Sequence, residues 1–124
     1  MTYIAVDLWD KRCGIAISKQ GIAFPRDIVK RVNVIWYLQK YFKSDEDISH
    51  IIVGLPYDLY GTDLRQLDKT QKFIDKIKVL FWDKVVIGHD ERFSSFQANE
   101  WYSDHRDDIA AQCILQSYLD SISS

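Results

Sequence analysis

The chain has 124 residues, of which 47% are hydrophobic and 14% are aromatic, enough apolar area for a single domain spanning residues 1–124. It contains no run of about 18 apolar residues and no secretory signal pattern, which predicts a cytoplasmic protein with no membrane association. The formal net charge of −2 provides no overall basic field for a polyanion, so any binding of nucleic acid depends on local clusters of charge.

Three short apolar runs open the chain. Residues 3–8 (YIAVDL) and 13–18 (CGIAIS) flank a polar turn, and a second turn at 19–21 leads to the run IAF at 22–24. These runs predict three sequential antiparallel strands. Pro25 cannot donate a ladder hydrogen bond, so the third strand is expected at an edge of the sheet.

The rest of the chain alternates between amphipathic helices and apolar strands. The predicted elements are a helix at 31–43, a strand at 50–56, a helix at 63–81, a strand at 84–89, a short helix from a capping box at 94–97, and a final helix at 108–122. The aromatic residues of the first helix, Trp36, Tyr37, Tyr41 and Phe42, have the spacing of a core-facing set. This order predicts parallel strand pairs joined by crossovers. The predicted fold class is α/β, with a five-stranded mixed sheet and helices on both faces.

Acidic residues occur where the predicted strands end. Asp7 lies near the end of the first strand, Asp90 and Glu91 follow the fifth, and Asp107 lies at the start of the last helix. In α/β sheets, ligands bind outside the carboxyl ends of the strands. Carboxylates crowded together are stabilised by a cation, and oxygen-only ligands suit Mg²⁺ or Mn²⁺. One or two such ions can hydrolyse phosphodiester bonds, so the pattern predicts a metal-dependent nuclease.

Each acid also has a structural interpretation. Asp107 can cap its helix, and Asp90 and Glu91 can pair with Arg92 or open a turn. Asp7 is harder to explain in this way, because a carboxylate between Val6 and Leu8 in a strand destabilises the fold unless it is paired or bound to metal.

Four stretches of the chain resemble one known family. They are VDLWDKRCGIAIS at 6–18, VGLPYDLYGT at 53–62, DERFSS at 90–95, and D-x-x-A-A-x-x-ILQSYLD at 107–120. They occur in the order found in the YqgF family, also called the RuvX or Holliday junction resolvase family, and the resemblance covers nearly the whole chain. It implies a ribonuclease H-like fold and a nuclease that matures the 5′ end of the 16S ribosomal RNA precursor, with RNA preferred over DNA as partner.

The resemblance also assigns roles by position. It implies that Asp7, Asp90, Glu91 and Asp107 are the catalytic residues and metal ligands, with Asp107 preferred over Asp108. It implies that Lys11, Arg12 and Arg92 bind substrate, and a guanidinium suits phosphate because it offers paired planar donors.

Two features depart from the family pattern. Trp9 occupies a position where the family usually has glycine, and the segment at 102–106 is shorter and less basic than in other members. These departures leave two alternatives open: a non-catalytic protein that binds RNA or the ribosome, and a DNase that resembles Holliday junction resolvases.

Overall fold

The computed structural model describes residues 1–55, 64–90 and 107–123. A 3₁₀ turn at Arg31–Asn33 precedes the first helix. The helices and strands are β1 (Thr2–Leu8), β2 (Arg12–Lys19), β3 (Ile22–Lys30), α1 (Val34–Ser44), β4 (Ile48–Leu55), α2 (Leu64–Leu80), β5 (Val85–Asp90) and α3 (Asp107–Ser123). The short helix predicted from residue 94 lies outside the described residues.

The strands form one sheet in the order β3-β2-β1-β4-β5. β1 and β3 are antiparallel to β2, whereas β1 with β4 and β4 with β5 are parallel. The predicted mixed sheet, an antiparallel meander followed by two parallel strands, is therefore confirmed. Gln20 and Gly21, with φ of 54° and 78°, make the tight turn of the second hairpin, since paired positive φ values match the twist of the strands.

The edge strand β3 is longer than the predicted run of three residues. It continues to Lys30, and its pairing shifts where Ile15 faces Asp27 and Ala16 faces Pro25, which leaves Arg26 as an extra residue. A bulge and a proline are both tolerated at an edge, where one side of the strand makes no ladder. The residues after Pro25 are mostly exposed and polar, so they lack the apolar pattern that predicts a strand.

Helices cover both faces of the sheet, as predicted. On one face, α1 and α2 pack through Val34, Leu38 and Ile77 against large strand residues such as Ile4 and Val6. On the other face, α3 packs against the small side chains of Ala5, Ala16 and Ala23. Because strand side chains alternate between faces, Asp7 shares the face of Ala5 and lies under α3.

The aromatic set of α1 is only partly buried. Tyr37, Tyr41 and Phe42 pack against the core, but Trp36 is 61% exposed. The prediction for Trp36 was wrong because position 36 turns away from the face that Val34 and Leu38 bury.

Two glutamines fix the position of α3 on the sheet. The backbone N–H of Ala23 donates to Gln116 Oε1 at 2.9 Å, and Gln112 Nε2 donates to the Ala23 carbonyl oxygen at 3.1 Å. These bonds tie α3 to the edge strand and satisfy backbone groups that an edge leaves unpaired. Among the described helices, none is long and apolar enough to cross a membrane.

Candidate carboxylate site

Asp7 is buried near the carboxyl end of β1, with 2% of its surface exposed. Its carboxylate Oδ2 accepts a hydrogen bond from the indole Nε1 of Trp9 at 2.7 Å. A buried carboxylate requires such donors, since it loses its hydration on folding. The half-exposed Trp9 ring thus lies beside the Asp7 carboxylate at the protein surface.

Gly14 lets the start of α3 lie directly against β2. Asp7 pairs with Gly14 in the β1–β2 ladder. A Cβ atom at position 14 would overlap the backbone carbonyl of Asp107 and lie 2.9 Å from the backbone nitrogen of Asp108. Asp107, the first residue of α3, thus lies against Gly14, the residue that pairs with Asp7. This close approach places Asp7 and Asp107 at one end of the sheet, although they are remote in sequence.

Asp107 is also buried, with 4% of its surface exposed. Its Oδ2 accepts a hydrogen bond from Arg12 Nε at 2.8 Å, and the Arg12 side chain remains 63% exposed. As the first residue of α3, Asp107 is further stabilised by the positive end of the helix dipole. The adjacent Asp108 is buried too, and its Oδ1 accepts from the N–H of Ile109 at 3.0 Å.

The Cys13 thiol is not a nucleophile for this site. Burial raises the pKa of Cys13 to about 11; Arg31 opposes the shift, and Asp7 and Asp107 add to it. The thiol is therefore protonated near neutral pH, which makes it unreactive.

β5 contributes the third part of the predicted site. It runs parallel to β4, with Gly54 beside His89 and Leu55 beside Asp90. The carboxyl ends of β1 and β5 therefore meet at one rim, separated by β4 and by roughly 10 Å at the usual strand spacing. Glu91 and Arg92 lie outside the described residues, and for Asp90 only the backbone is described.

The His89 side chain packs against α3. Its Nε2 lies 3.0 Å from Ser117 Oγ, and its ring packs edge-on against Tyr118 of α3. These contacts place His89 on the same face of the sheet as Asp7.

The two described acids suit part of a site for a hard cation. Within residues 1–55, 64–90 and 107–123, no group of three or more His, Cys, Asp or Glu residues is arranged to hold a metal ion. Asp7 and Asp107 supply buried carboxylate oxygens, the donor type that Mg²⁺ and Mn²⁺ prefer. The remaining ligands of a complete site would come from the acids after β5, from water or from substrate.

The turn between β1 and β2 carries the predicted substrate-binding residues. Lys11 is exposed, and its carbonyl oxygen accepts from the backbone N–H of Arg31 at 2.9 Å. Arg12 is engaged with Asp107, so its guanidinium supports an acid of the site as well as facing solvent. The sequence did not single out Arg31, which stabilises this turn through hydrogen bonds to the carbonyl oxygens of Lys11 and Trp9.

We expect Trp9 to position Asp7, and the Trp9→Phe variant tests this role. Phenylalanine keeps an aromatic ring but removes the N–H donor, leaving a buried carboxylate with one hydrogen bond fewer. The free energy of unfolding should fall by about 1 kcal/mol in urea titrations. Trp82→Phe is the matched control, because Trp82 is 83% exposed and its replacement should change stability by less than about 0.5 kcal/mol. Equal stability of both variants and wild type would show that the indole N–H does not support Asp7.

The sheet order, together with a strand acid under the N-terminus of the last helix, defines a ribonuclease H-like α/β domain. The family model described as "RuvX: Holliday junction resolvase" matches residues 1–121, and the chain belongs to this family. The resemblance predicted from the four sequence stretches is confirmed by this match.

Curated relatives align over nearly the whole chain. A protein of Fusobacterium nucleatum subsp. nucleatum named "Putative pre-16S rRNA nuclease" is 33% identical over 133 residues, covering 95% of this chain and 96% of the relative. A protein of the same name from Endomicrobium trichonymphae is 33% identical over 132 residues, covering 94% of each chain. Among solved structures, YeaZ from Pseudomonas aeruginosa is similar at 11% identity and a TM-score of 0.46, with 82% of this chain and 51% of that one covered.

Proposed function

We propose that this chain is a metal-dependent endonuclease of the cytoplasm that hydrolyses phosphodiester bonds during 5′-end maturation of the 16S ribosomal RNA precursor. The observation that carries the proposal is the approach of Asp107 to Asp7, made possible by Gly14. The family match and the names of the relatives supply the substrate class. In this proposal, residues 1–124 act as a single domain and RNA is preferred over DNA.

Asp7 and Asp107 would hold Mg²⁺ or Mn²⁺ in one or two sites. When bound between these acids, such a cation would supply positive charge for the phosphoryl oxygens and would lower the pKa of a water molecule. Trp9 holds Asp7 in a fixed orientation through its N–H bond. Asp107 lies at the N-terminus of α3, where the partial positive charge of the helix end attracts anionic groups.

The third acid of the proposed site is Asp90 or Glu91, at the end of β5 and directly after it in the sequence. Val6 pairs with Val53, and Val53 pairs with Gly88, so these three positions are equivalent across the parallel strands. Asp7 and His89 are each one residue further along and share the α3 face. The register therefore brings the end of β5 to the rim that holds Asp7, and Asp90 and Glu91 are both kept as candidates for the third ligand.

Lys11, Arg12 and Arg92 are the proposed contacts to the substrate phosphates. Lys11 is exposed beside the site, and Arg12 offers an exposed guanidinium adjacent to Asp107. Arg12 thus has two roles in the proposal: it pairs with Asp107, and its outer nitrogens face the solvent from which a phosphate arrives.

One observation favours a second function, an RNA- or ribosome-binding protein without cleavage. Oδ2 of Asp7 is bonded to the Trp9 indole, and Oδ2 of Asp107 is paired with Arg12. If both donors keep these oxygens when RNA binds, cation binding is weakened while the phosphate contacts remain.

A competition experiment separates the functions. A labelled 16S precursor fragment and a four-way DNA junction are incubated with the protein in Mn²⁺ or in EDTA. We expect Mn²⁺-dependent cleavage of the RNA, at least about tenfold faster than cleavage of the junction, equivalent to about 1.4 kcal/mol in the barrier. Faster cleavage of the junction would identify a DNase, and retention of RNA without any cleavage would identify the binding protein.

A further inference from the structure

A groove lined by basic residues lies between α2 and the start of α1. Its volume is about 470 Å³. Among the described residues that line it, four are cationic and none is acidic: Arg31, Lys69, Lys72 and Lys76. We call this surface the basic groove. Its floor includes the buried ring of Phe73, and the Arg31 guanidinium carbon lies 5.6 Å from the centre of that ring.

The lysines of α2 are arranged in a way that an anion would stabilise. Lys69, Lys72 and Lys76 are three and four residues apart, so they project from one side of the helix. Like charges at this spacing repel one another and destabilise a helix slightly. A phosphate bound in the basic groove would offset this repulsion. A helix face that is only solvated has no need for three neighbouring lysines.

The acids nearest to these lysines do not block an anion. Lys72 pairs with Asp68 at 3.1 Å, and Lys69 pairs with Asp10 at 3.6 Å. Both pairs are exposed, and exposed ion pairs contribute little to stability because solvent screens the charges. The lysines can therefore exchange these partners for a phosphate at little expense.

The basic groove borders the same turn as the carboxylate site. Arg31 donates to the carbonyl oxygen of Trp9 at 3.2 Å, and its backbone N–H donates to that of Lys11 at 2.9 Å. Lys69 reaches Asp10 of the same turn. The β1–β2 turn thus separates the acids on the α3 face from the basic groove on the α1–α2 face, and the two surfaces meet across it.

We propose that the basic groove binds the phosphodiester backbone of single-stranded nucleic acid, which crosses the β1–β2 turn on its way to Asp7 and Asp107. The path of the strand from the groove to Asp7 and Asp107 rests on the proposed function, whereas binding of the strand in the groove does not. An exposed aromatic beside a basic channel is typical of single-strand binding, because unpaired bases stack on the ring while cations follow the backbone. Trp9, 44% exposed at the turn, provides that ring.

Anisotropy of a labelled single-stranded RNA of about 12 nucleotides, measured in EDTA to prevent cleavage, tests the proposal. The variant Lys72→Gln/Lys76→Gln removes two charges from the basic groove. The matched control Lys19→Gln/Lys78→Gln also removes two exposed charges, one at the far end of β2 and one elsewhere on α2. We expect about tenfold weaker binding and a salt slope smaller by about 1.4 for the groove variant. The control should bind within about twofold of wild type, since net charge alone acts weakly.

Two outcomes would overturn the proposal. Equal loss of affinity in both variants would reduce the effect to net charge, and equal binding of a duplex of the same length would exclude a single-strand site. If wild type binds through the groove but cleaves nothing, the proposed nuclease function fails and the groove assignment stands.

Discussion

We expect Asp7→Asn to lower the single-turnover rate of precursor cleavage at saturating Mn²⁺ by about a thousandfold, equivalent to about 4 kcal/mol of lost transition-state stabilisation. Asparagine is nearly isosteric and its carbonyl oxygen can still accept from Trp9 Nε1, so the local packing is retained. What is lost is the negative charge that a cation requires beside Asp107. The rate is measured on a labelled fragment in rapid-quench assays with enzyme in excess.

Asp10→Asn is the matched control for this variant. Asp10 is an exposed residue three positions further along the chain, in the β1–β2 turn, and its replacement changes the net charge by the same amount. Its cleavage rate should stay within about twofold of wild type. A second measurement does not depend on cleavage: Mn²⁺ should raise the melting temperature of wild type and of Asp10→Asn, but not of Asp7→Asn. Identical rates and identical metal responses in all three proteins would exclude Asp7 from the site.

The sheet was predictable because its signals are local. Alternating apolar runs, turn residues and the change to helical periodicity are each contained within a few residues, and they define strand direction through the length of the connections. The continuation of β3 beyond Pro25 was missed because an exposed edge strand has no buried face to enforce an apolar pattern. The outward turn of Trp36 was missed for a related reason, since aromatic residues at an exposed helix position resemble core residues in sequence.

The candidate site was only partly predictable. Asp7 could be singled out because an acid within an apolar strand is costly, and Asp107 because it begins a helix. The bond from Trp9 to Asp7 and the ion pair of Arg12 with Asp107 could not be predicted, because both depend on side-chain geometry after folding. The role of Gly14 was equally hidden, since glycine in a strand has several explanations.

Gly14→Ala tests the contact that joins the two acids. The added methyl group would overlap the carbonyl of Asp107, a backbone group that cannot rotate away as a side chain can. The N-terminus of α3 must therefore move off β2, which disrupts the packing of Ala111 and Leu115 on the sheet. We expect the free energy of unfolding to fall by about 3 kcal/mol or more in urea titrations, at the upper end of overpacking effects.

Gly88→Ala is the control, because it makes the same substitution in another strand of the same sheet. A Cβ atom there would lie 3.1 Å from the end of the Leu55 side chain, which can shift by a few tenths of an ångström. Its cost should stay below about 1 kcal/mol, because alanine also restricts the unfolded chain. If Gly14→Ala folds but is displaced at α3, it should lose the Mn²⁺-dependent rise in melting temperature that Gly88→Ala retains. Wild-type stability and metal response in Gly14→Ala would mean that α3 does not rest on β2 at this position. Asp107 would then have no structural reason to share a cation with Asp7.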